Sequence, residues 1–227
     1  MALIDVKISP YDGPIPPLVR QFLDEADRRI ELFQQTSRIV GYVPSDFEGV
    51  YRLLRAILDQ QLAPGTRFCE WGSGIGVIAS LASTLGFDAV GIEIESDLVE
   101  ASQTLAEDFQ LDVDFVEGTF LPDDAEPLLD KARLDLAAGM SWLELDTDDS
   151  LSDRDLSPDS FAIIYIYPWP DEQELIAKVF DRFAATETLL ITNHGRDGLR
   201  VRRKQASGQS GHSGRRNRNT SRRRRDY

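Results

Sequence analysis

A glycine-rich loop between a short apolar run and an apolar helix carries the strongest chemical signal in this sequence. The segment F-C-E-W-G-S-G-I-G-V occupies residues 68–77. Glycine adopts positive φ without strain and lets a ligand approach the backbone, and the helix that follows turns unpaired N–H groups toward that ligand. In α/β sheets such a loop holds a nucleotide-like cofactor at the carboxyl ends of the strands.

The spacing of these glycines distinguishes the loop from other nucleotide-binding loops. Gly72, Gly74 and Gly76 follow Glu70 in the pattern E-x-G-x-G-x-G, and Val77 stands where a dinucleotide-binding loop has its third glycine. This difference disfavours NAD and FAD. The sequence has no G-K-[ST] of the Walker type, which disfavours an ATP-binding phosphate loop.

A second acidic position comes at the end of the next apolar run, G-I-E-I-E at residues 91–95. An acid at the end of a second strand can accept hydrogen bonds from both hydroxyl groups of a ribose. The alternative is that Glu93 and Glu95 are solvated charges at a strand end. Because the glycine loop lies upstream, we favour the ribose contact for Glu93.

Two helices are predicted to precede the loop. Apolar residues at helical spacing, Leu18 among them, predict a helix after Pro17 that runs to about residue 38, following an irregular start over 1–12. Ser45 and Glu48 form a capping box that predicts the start of the second helix.

Further along the chain, short apolar strands alternate with helices. Strands are predicted at 67–71, 89–94, 113–117, 161–167 and 188–192, and helices at 77–85, 96–109 and 171–183, with part of 125–140 also helical. This alternation predicts an α/β fold, a three-layer, doubly wound and mostly parallel sheet with additional N-terminal helices.

With these elements in place, residues 66–120 resemble the cofactor half of class I, seven-strand, Rossmann-like S-adenosylmethionine-dependent methyltransferases. The resemblance implies an enzyme with S-adenosyl-L-methionine as its cofactor. It implies that the loop residues Gly72, Ser73, Gly74 and Gly76 line the methionine and ribose parts of the cofactor. It further implies that Glu70 helps to anchor the methionine ammonium and that Glu93 holds the ribose.

The adenine end and the C-terminal strands depart from the family pattern. Gly118-Thr119 replaces the Gly-Asp pair that the family often has, so Glu117, Thr119 or a backbone carbonyl is expected to contact the adenine. Few residues follow Thr192 before the tail, so we expect reduced C-terminal strands and five or six strands in all. An exposed sheet edge would then be covered by the N-terminal helices or by a second subunit.

A closer likeness covers residues 41–120. The V-P turn and helix of G-Y-V-P-S-D-F-E-G-V-Y-R-L-L and the block L-G-F-D-A-V-G-I-E-I-E-S-D-L-V resemble small DOT1-like protein-lysine methyltransferases. Tyr42, just before this turn, is expected either to lie over the cofactor or to pack between the N-terminal helices.

The methyl acceptor is expected beside Y-I-Y-P-W-P at residues 165–170. Tyr167 and Trp169 could pack around a lysine stem or a cation, and we assign them as the catalytic candidates. The alternative is that Trp169 covers the sheet edge and the prolines start the next helix.

Two other reactive side chains are less favoured. His194 could act as a base, although a lone histidine at a strand end is more often a loop or capping residue. The single cysteine, Cys69, is expected to be a small buried hydrophobe rather than a nucleophile. One cysteine also excludes a multi-cysteine zinc site and an internal disulfide framework, and we predict no metal site.

Charge is divided unevenly between the body and the C-terminus. Residues 200–227 hold 11 of the 25 Lys and Arg and one acid, which leaves 14 bases against 38 acids in residues 1–199. The formal charges are therefore about +10 and −24. The run Arg222, Arg223, Arg224 and Arg225 could contact nucleic acid weakly. An acidic rim that includes residues 146–155 is expected near Trp169 and would favour a basic substrate.

These patterns predict three parts: an N-terminal irregular segment and helix (1–40), a cofactor-binding methyltransferase domain (41–203) with an acidic insertion near 122–160, and a basic, disordered tail (204–227). No apolar run approaches the roughly 20 residues of a membrane span, and the start lacks the pattern of a secretion signal. We therefore expect a cytoplasmic protein without membrane contact.

The expected activity is methyl transfer to a protein lysine or another nitrogen. Methylation of RNA or of a small molecule is the alternative within enzymes. A noncatalytic Rossmann-like binding protein with a nucleic-acid-binding tail is the alternative from another class.

Overall fold

The structure is a computed structural model that describes residues 3–36, 45–135, 155–169 and 171–206. In these ranges the chain forms seven strands and six α-helices. The strands are β1 (Leu3–Asp5), β2 (Arg67–Trp71), β3 (Asp88–Glu93), β4 (Val113–Glu117), β5 (Ile163–Ile166), β6 (Leu189–Asn193) and β7 (Leu199–Lys204). The helices are α1 (Pro17–Thr36), α2 (Phe47–Asp59), α3 (Val77–Thr84), α4 (Ser96–Asp108), α5 (Glu126–Asp135) and α6 (Gln173–Phe183).

All seven strands join one sheet in the order β1-β7-β6-β5-β2-β3-β4. Strands β2 to β6 are parallel, and β7 is antiparallel to both of its neighbours. The chain adds β3 and β4 on one side of β2, and then β5 and β6 on the other. The predicted doubly wound α/β sheet is therefore confirmed. In such sheets, ligands bind at the carboxyl end of the strand where the order reverses, which here is β2.

Side chains alternate between the two faces of the sheet and build two apolar cores. The core beneath α1, α2, α3 and α4 includes Phe68, Ile163 and Ile191. The core beneath α5 and α6 includes Cys69 and Ile164. The molecule therefore has three layers, as predicted. Within the described ranges, none of the helices has the length and hydropathy needed to cross a membrane.

One edge of the sheet is occupied by the N-terminal strand. Strand β1 pairs with β7 with Ile4 opposite Arg203, and Val6 N donates to Val201 O at 2.9 Å. The expected irregular start was therefore wrong at Leu3–Asp5, and so was the expected count of five or six strands. The edge of β7 is covered by this short strand and not, as one expectation had it, by the N-terminal helices.

The last strand continues beyond the expected end of the domain at residue 203. Lys204 is buried, and its ammonium donates to the carbonyl of Ala184. Arg200, Arg202 and Arg203 lie in the same strand. Four of the eleven basic residues from position 200 onward therefore belong to the sheet and not to a tail.

The two N-terminal helices form where predicted, with two local differences. Leu18, expected on the buried stripe of α1, is 77 % exposed, whereas Phe22 is buried. The N-cap of α2 is Asp46, whose carboxylate accepts a hydrogen bond from Gly49 N at 3.0 Å. The predicted capping box was therefore wrong, because Ser45 turns toward the sheet instead.

Candidate functional site

The glycine loop leaves the carboxyl end of β2 and is attached to the next strand. Gly72, Gly74 and Gly76 all have positive φ, at +67°, +55° and +71°. Gly72 N and Ser73 N both donate to Ile92 O, at 2.9 and 3.0 Å. Backbone in this region of φ favours glycine, so the three glycines are required by the turn itself.

Two of these glycines have different surroundings. Gly76 is the N-cap of α3, and a Cβ there would lie 2.2 Å from the ring of Phe115. A Cβ at Gly72 would meet no atom within 4 Å. Gly76 is therefore needed for the packing of helix against sheet, whereas Gly72 leaves open space in which a ligand can approach the backbone.

Glu70 lies on β2, 5 % exposed, and caps α3 from the strand. Its Oε2 accepts a hydrogen bond from Ala79 N at 2.8 Å, which satisfies one of the unpaired donors of the helix that Gly76 has no side chain to cap. Burial raises the pKa of Glu70 well above its ordinary value, the Ala79 bond opposes the rise, and the nearby Glu93 carboxylate adds to it. Glu70 is thus a strongly perturbed carboxyl group directly below the loop.

Glu93 ends β3 and is also buried. Its Oε2 accepts from Gly74 N at 2.8 Å, and its Oε1 accepts from Ile94 N at 2.8 Å and from Glu95 N at 3.1 Å. A carboxylate has about four acceptor positions, so one holds the glycine loop, two hold the turn after β3, and one remains on Oε2. Glu93 therefore shapes the loop and keeps the capacity to accept from a further donor.

The residues around the loop fit an adenosyl cofactor in three respects. Gly72 leaves room beside the backbone, and Glu93 keeps an acceptor position. The hydroxyl of Ser73 is buried with no hydrogen-bond partner in the described part of the chain. Buried polar groups are rarely left unpaired in native proteins, so an unpaired hydroxyl in this loop is consistent with a polar ligand.

The two residues expected near the adenine lie beside Glu93. Glu117 is its register partner at the end of β4 and is exposed. Thr119 is buried, and its Oγ1 accepts from Leu121 N at 3.3 Å. The loop that carries Thr119 is joined to β3 because Gly118 N donates to Glu93 O at 2.9 Å. Both residues therefore lie at the same edge of the sheet as the glycine loop.

The expected acceptor residues follow β5 at this edge. Trp169 is 42 % exposed, Pro168 is buried and Tyr167 is half-buried. The hydroxyl of Tyr167 lies 3.0 Å from the position that a Cβ at Gly195 would occupy, so it reaches the loop after β6. The indole of Trp169 and the phenol of Tyr167 therefore both follow β5 at the edge of the sheet that carries the glycine loop, and the indole is partly exposed.

A buried acid that the sequence analysis did not single out holds this loop. Glu172, at the start of α6, is 6 % exposed, and its Oε2 accepts from Trp169 N at 2.9 Å. Its own N–H donates back to Trp169 O at 2.9 Å. Burial raises the pKa of Glu172 to about 7, against the lowering effect of the Trp169 bond. Glu172 is itself the N-cap of α6 and its side chain makes no capping bond to the helix, so a search for a capping box would not have found its bond to Trp169.

A second group of residues that the sequence analysis did not single out lies on the face of the sheet that packs against α2. Tyr165 on β5 is buried, and its hydroxyl contacts Ser45 Oγ at 2.8 Å and Asn193 Nδ2 at 3.3 Å. Tyr165 is the register partner of Glu70. The apolar strand around Tyr165 offered no local signal, because the contact depends on pairing between strands far apart in sequence.

His194 and Cys69, the two less favoured reactive residues, are both held by the surrounding structure. His194 is the N-cap of a 3₁₀ turn, and its Nε2 lies 2.8 Å from Thr192 Oγ1. Burial lowers the pKa of His194, as do Arg202 and Arg200. Cys69 is fully buried in the apolar core, as expected, and burial raises the pKa of its thiol.

The acidic rim is not supported at the one residue of it that the structure describes. Asp155 binds Arg67, the first residue of β2, with its Oδ2 2.9 Å from Arg67 Nη1. Trp169, in contrast, lies beyond the carboxyl ends of the strands. A five-residue strand such as β2 separates the amino and carboxyl edges of the sheet by about 16 Å. The expectation that residues 146–155 lie beside Trp169 was therefore wrong for Asp155, because Arg67 ties it to the amino edge.

Several expectations concern residues outside the described ranges. These are Tyr42, Pro170, most of the acidic insertion (136–154), and the tail with Arg222, Arg223, Arg224 and Arg225.

Comparison with known proteins gives partial likenesses. No family model matches the chain. The chain is 42 % identical over 76 residues to a ribosomal protein L11 methyltransferase of Ralstonia pickettii, a match that covers 33 % of this chain and 24 % of that protein. It is 40 % identical over 65 residues to a ribosomal protein L11 methyltransferase of Cupriavidus taiwanensis, covering 28 % and 22 %. The chain thus spans about a quarter of the length of the curated relatives it matches. These matches do not support the expected likeness to DOT1-like enzymes.

Solved structures give likenesses over more of the chain at lower identity. One is an RNA methyltransferase of Salinibacter ruber in complex with S-adenosyl-L-homocysteine, with a TM-score of 0.46, 18 % identity, and coverage of 71 % of this chain and 92 % of that one. Another is a methyltransferase of Geobacter sulfurreducens, with a TM-score of 0.47, 15 % identity, and coverage of 85 % and 92 %. Likenesses at these scores do not identify a function.

Proposed function

We propose that this chain binds S-adenosyl-L-methionine at the loop of residues 72–76 and transfers its methyl group to a nitrogen atom of a protein. The proposal rests chiefly on one observation: Glu70 and Glu93, on neighbouring strands, both direct buried carboxylates at backbone N–H groups of this loop and of the helix after it. Such a loop, at the switch point of a doubly wound sheet, is where these folds bind nucleotide-like ligands. The curated relatives, named as methyltransferases, support the same activity.

In this proposal each residue at the loop has a role in binding. Glu93 accepts a ribose hydroxyl at its remaining acceptor position, while its bond from Gly74 N holds the glycine loop and its bonds from Ile94 N and Glu95 N hold the turn after β3. Ser73 gives its unpaired hydroxyl to the cofactor. Glu70 anchors the ammonium of the methionine part, and Thr119 and Glu117 flank the adenine. Gly72 allows the close approach of the cofactor to the backbone.

The chemistry asked of the protein is mainly positioning. The bound cofactor supplies an activated methyl group on a sulfonium. Tyr167 and Trp169 hold the acceptor in line with it, and correct alignment can supply roughly 7–11 kcal/mol in ideal intramolecular cases. An acceptor amine must be neutral to attack, and partial removal of water by the aromatic surface lowers its pKa. Glu172 fixes the backbone at Trp169 and so the position of this surface.

A basic protein fits the charge of this edge. Exposed acids at the carboxyl ends of the strands and at the nearby helix starts include Asp46, Glu95, Asp97, Glu117 and Asp171, and they outnumber the exposed bases Arg196 and Arg200 at this edge. Their field would attract a lysine-rich acceptor and repel nucleic acid. The curated relatives are named for a ribosomal protein, and we therefore propose ribosomal protein L11, or another lysine-rich protein, as the acceptor class.

Calorimetric titration of S-adenosyl-L-methionine tests the binding step. Wild-type protein should bind in a 1:1 ratio, and Glu93→Ala should bind at least tenfold more weakly. The exposed Glu100→Ala on α4 is the matched control and should bind like the wild type. Absence of binding by the wild type would refute the proposal.

Methyl transfer needs a separate assay. The protein is incubated with S-adenosyl-L-methionine labelled in the methyl group and with a ribosomal extract, and the labelled fraction is identified. Label in a protein band supports the acceptor class. Label in RNA or in the small-molecule fraction would refute it while leaving the cofactor assignment intact.

A further inference from the structure

A chain of hydrogen bonds beside the cofactor loop ends at a half-buried hydroxyl group. Tyr165 lies on β5 next to Glu70 of β2, its register partner, and both are buried. The Tyr165 hydroxyl receives a hydrogen bond from Asn193 Nδ2 at 3.3 Å and lies 2.8 Å from Ser45 Oγ. Ser45 is the last link, because it lies just before Asp46, the N-cap of α2, and is only half-buried.

The direction of the protons in this chain follows from its far end. Gly195 N donates to Asn193 Oδ1 at 2.9 Å, which fixes the amide with Nδ2 facing Tyr165. Asn193 Nδ2 is thus a donor to the phenol, and Ser45 Oγ is the acceptor that the described contacts offer to the buried phenol proton, so we take Tyr165 as the donor to Ser45. Burial raises the pKa of Tyr165 above its ordinary value, so the phenol keeps its proton. Ser45 is left with a hydroxyl proton for which the described residues supply no acceptor.

A ligand with an anionic oxygen next to an ammonium group would satisfy this arrangement. If Glu70 anchors the ammonium of an amino acid, the carboxylate on the same carbon atom must lie beside it. The Ser45 hydroxyl contacts the hydroxyl of Tyr165, and Tyr165 is the register partner of Glu70 on the adjacent strand. A hydrogen bond to a charged carboxylate is stronger than one between neutral groups. We therefore propose, as an inference resting on the proposed function, that Ser45 donates to the carboxylate of the methionine part of the cofactor. Tyr165 and Asn193 are the positioning residues that orient it.

Two ligands that differ only in this part separate the assignment from a general effect on the fold. S-adenosyl-L-homocysteine carries the amino acid group, and 5′-methylthioadenosine lacks it. Ser45→Ala should bind S-adenosyl-L-homocysteine about tenfold more weakly, a loss of about 1.4 kcal/mol, and 5′-methylthioadenosine as tightly as the wild type does. Tyr165→Phe should show the same selectivity with a smaller loss, since Ser45 remains but is no longer oriented.

Two variants serve as controls in the same calorimetric titrations. Ser45→Thr keeps the hydroxyl and should retain most of the affinity for S-adenosyl-L-homocysteine. Thr104→Ala removes an exposed hydroxyl on α4 that bonds only Glu100 O and should leave both affinities unchanged.

Each outcome decides the matter. Equal losses for both ligands in Ser45→Ala would mean that Ser45 acts through the fold, and no loss for either would mean that it does not touch the ligand. Both results overturn the assignment while leaving the proposed function standing. A wild-type protein that binds neither ligand overturns the proposed function and this assignment together.

Discussion

The buried carboxyl group of Glu172 should make the stability of the protein depend on pH in a way that one substitution removes. Its pKa is about 7 in the folded protein against an ordinary value of 4.5. A carboxyl whose pKa is raised by folding stabilises the fold fully below its unfolded pKa, and this contribution is lost as the pH rises through the folded pKa. Wild-type stability should therefore fall between about pH 4.5 and pH 7 through this group.

The pKa shift of Glu172 sets the size of this change in stability. A change of this size corresponds to roughly 3 kcal/mol at full burial, and screening at the part reached by water reduces it to about 2 kcal/mol. Glu172→Gln does not titrate, and its amide oxygen can still accept from Trp169 N. The variant should therefore gain stability over the wild type as the pH rises. Slightly more than half of the gain, about 1 kcal/mol, should fall between about pH 5.5 and pH 8.5.

Urea denaturation measures this difference directly. Unfolding free energies of both proteins are compared across that range, which stays above the isoelectric point of 4.6. Glu174→Gln is the matched control, because Glu174 lies on the same helix with its side chain 83 % exposed, and its difference from the wild type should not change with pH. A difference between Glu172→Gln and wild type that stays constant across the range would refute the burial argument.

Three further outcomes follow from the loop and the sheet edge. Gly76→Ala combines positive φ with a Cβ 2.2 Å from Phe115 and should lose about 2 kcal/mol or more in urea denaturation, whereas Gly72→Ala meets no atom and should lose about 1 kcal/mol from backbone strain alone. Ile4→Pro removes a donor from β1 and should uncover the edge of β7, which size-exclusion chromatography would detect as self-association; a monomer would contradict this. Glu93→Ala leaves the N–H groups of Gly74, Ile94 and Glu95 without their acceptor and should also lower the unfolding free energy by about 1–3 kcal/mol.

The sequence predicts the central elements well because their patterns are strong. The strand over residues 113–117 and the start of the helix at Val77 agree with the structure, since apolar alternation and a glycine turn mark them. Strand β1 was missed because it has three residues, and Ile4 is 37 % exposed. Leu18 was misplaced because a helix of this length offers two adjacent apolar stripes, and only packing against the sheet selects one.

The candidate site likewise contains residues that the sequence predicts and residues that it does not. Glu70 and Glu93 could be found because each lies at or next to the end of an apolar strand, beside a local motif. Tyr165 and Asn193 could not, because their contact joins residues on adjacent strands. The position of Asp155 depends on Arg67, 88 residues away in sequence. Long-range pairing of this kind leaves no spacing that a sequence pattern can detect.

The central claim is that the loop of residues 72–76 and the carboxylate of Glu93 together hold an adenosyl ligand. A crystal structure of the protein with S-adenosyl-L-homocysteine tests it most directly. We expect a ribose hydroxyl group within about 3 Å of Glu93 Oε2, with the ligand against the open side of Gly72. Ligand density away from this loop, or a ribose without a contact to Glu93, would contradict the account.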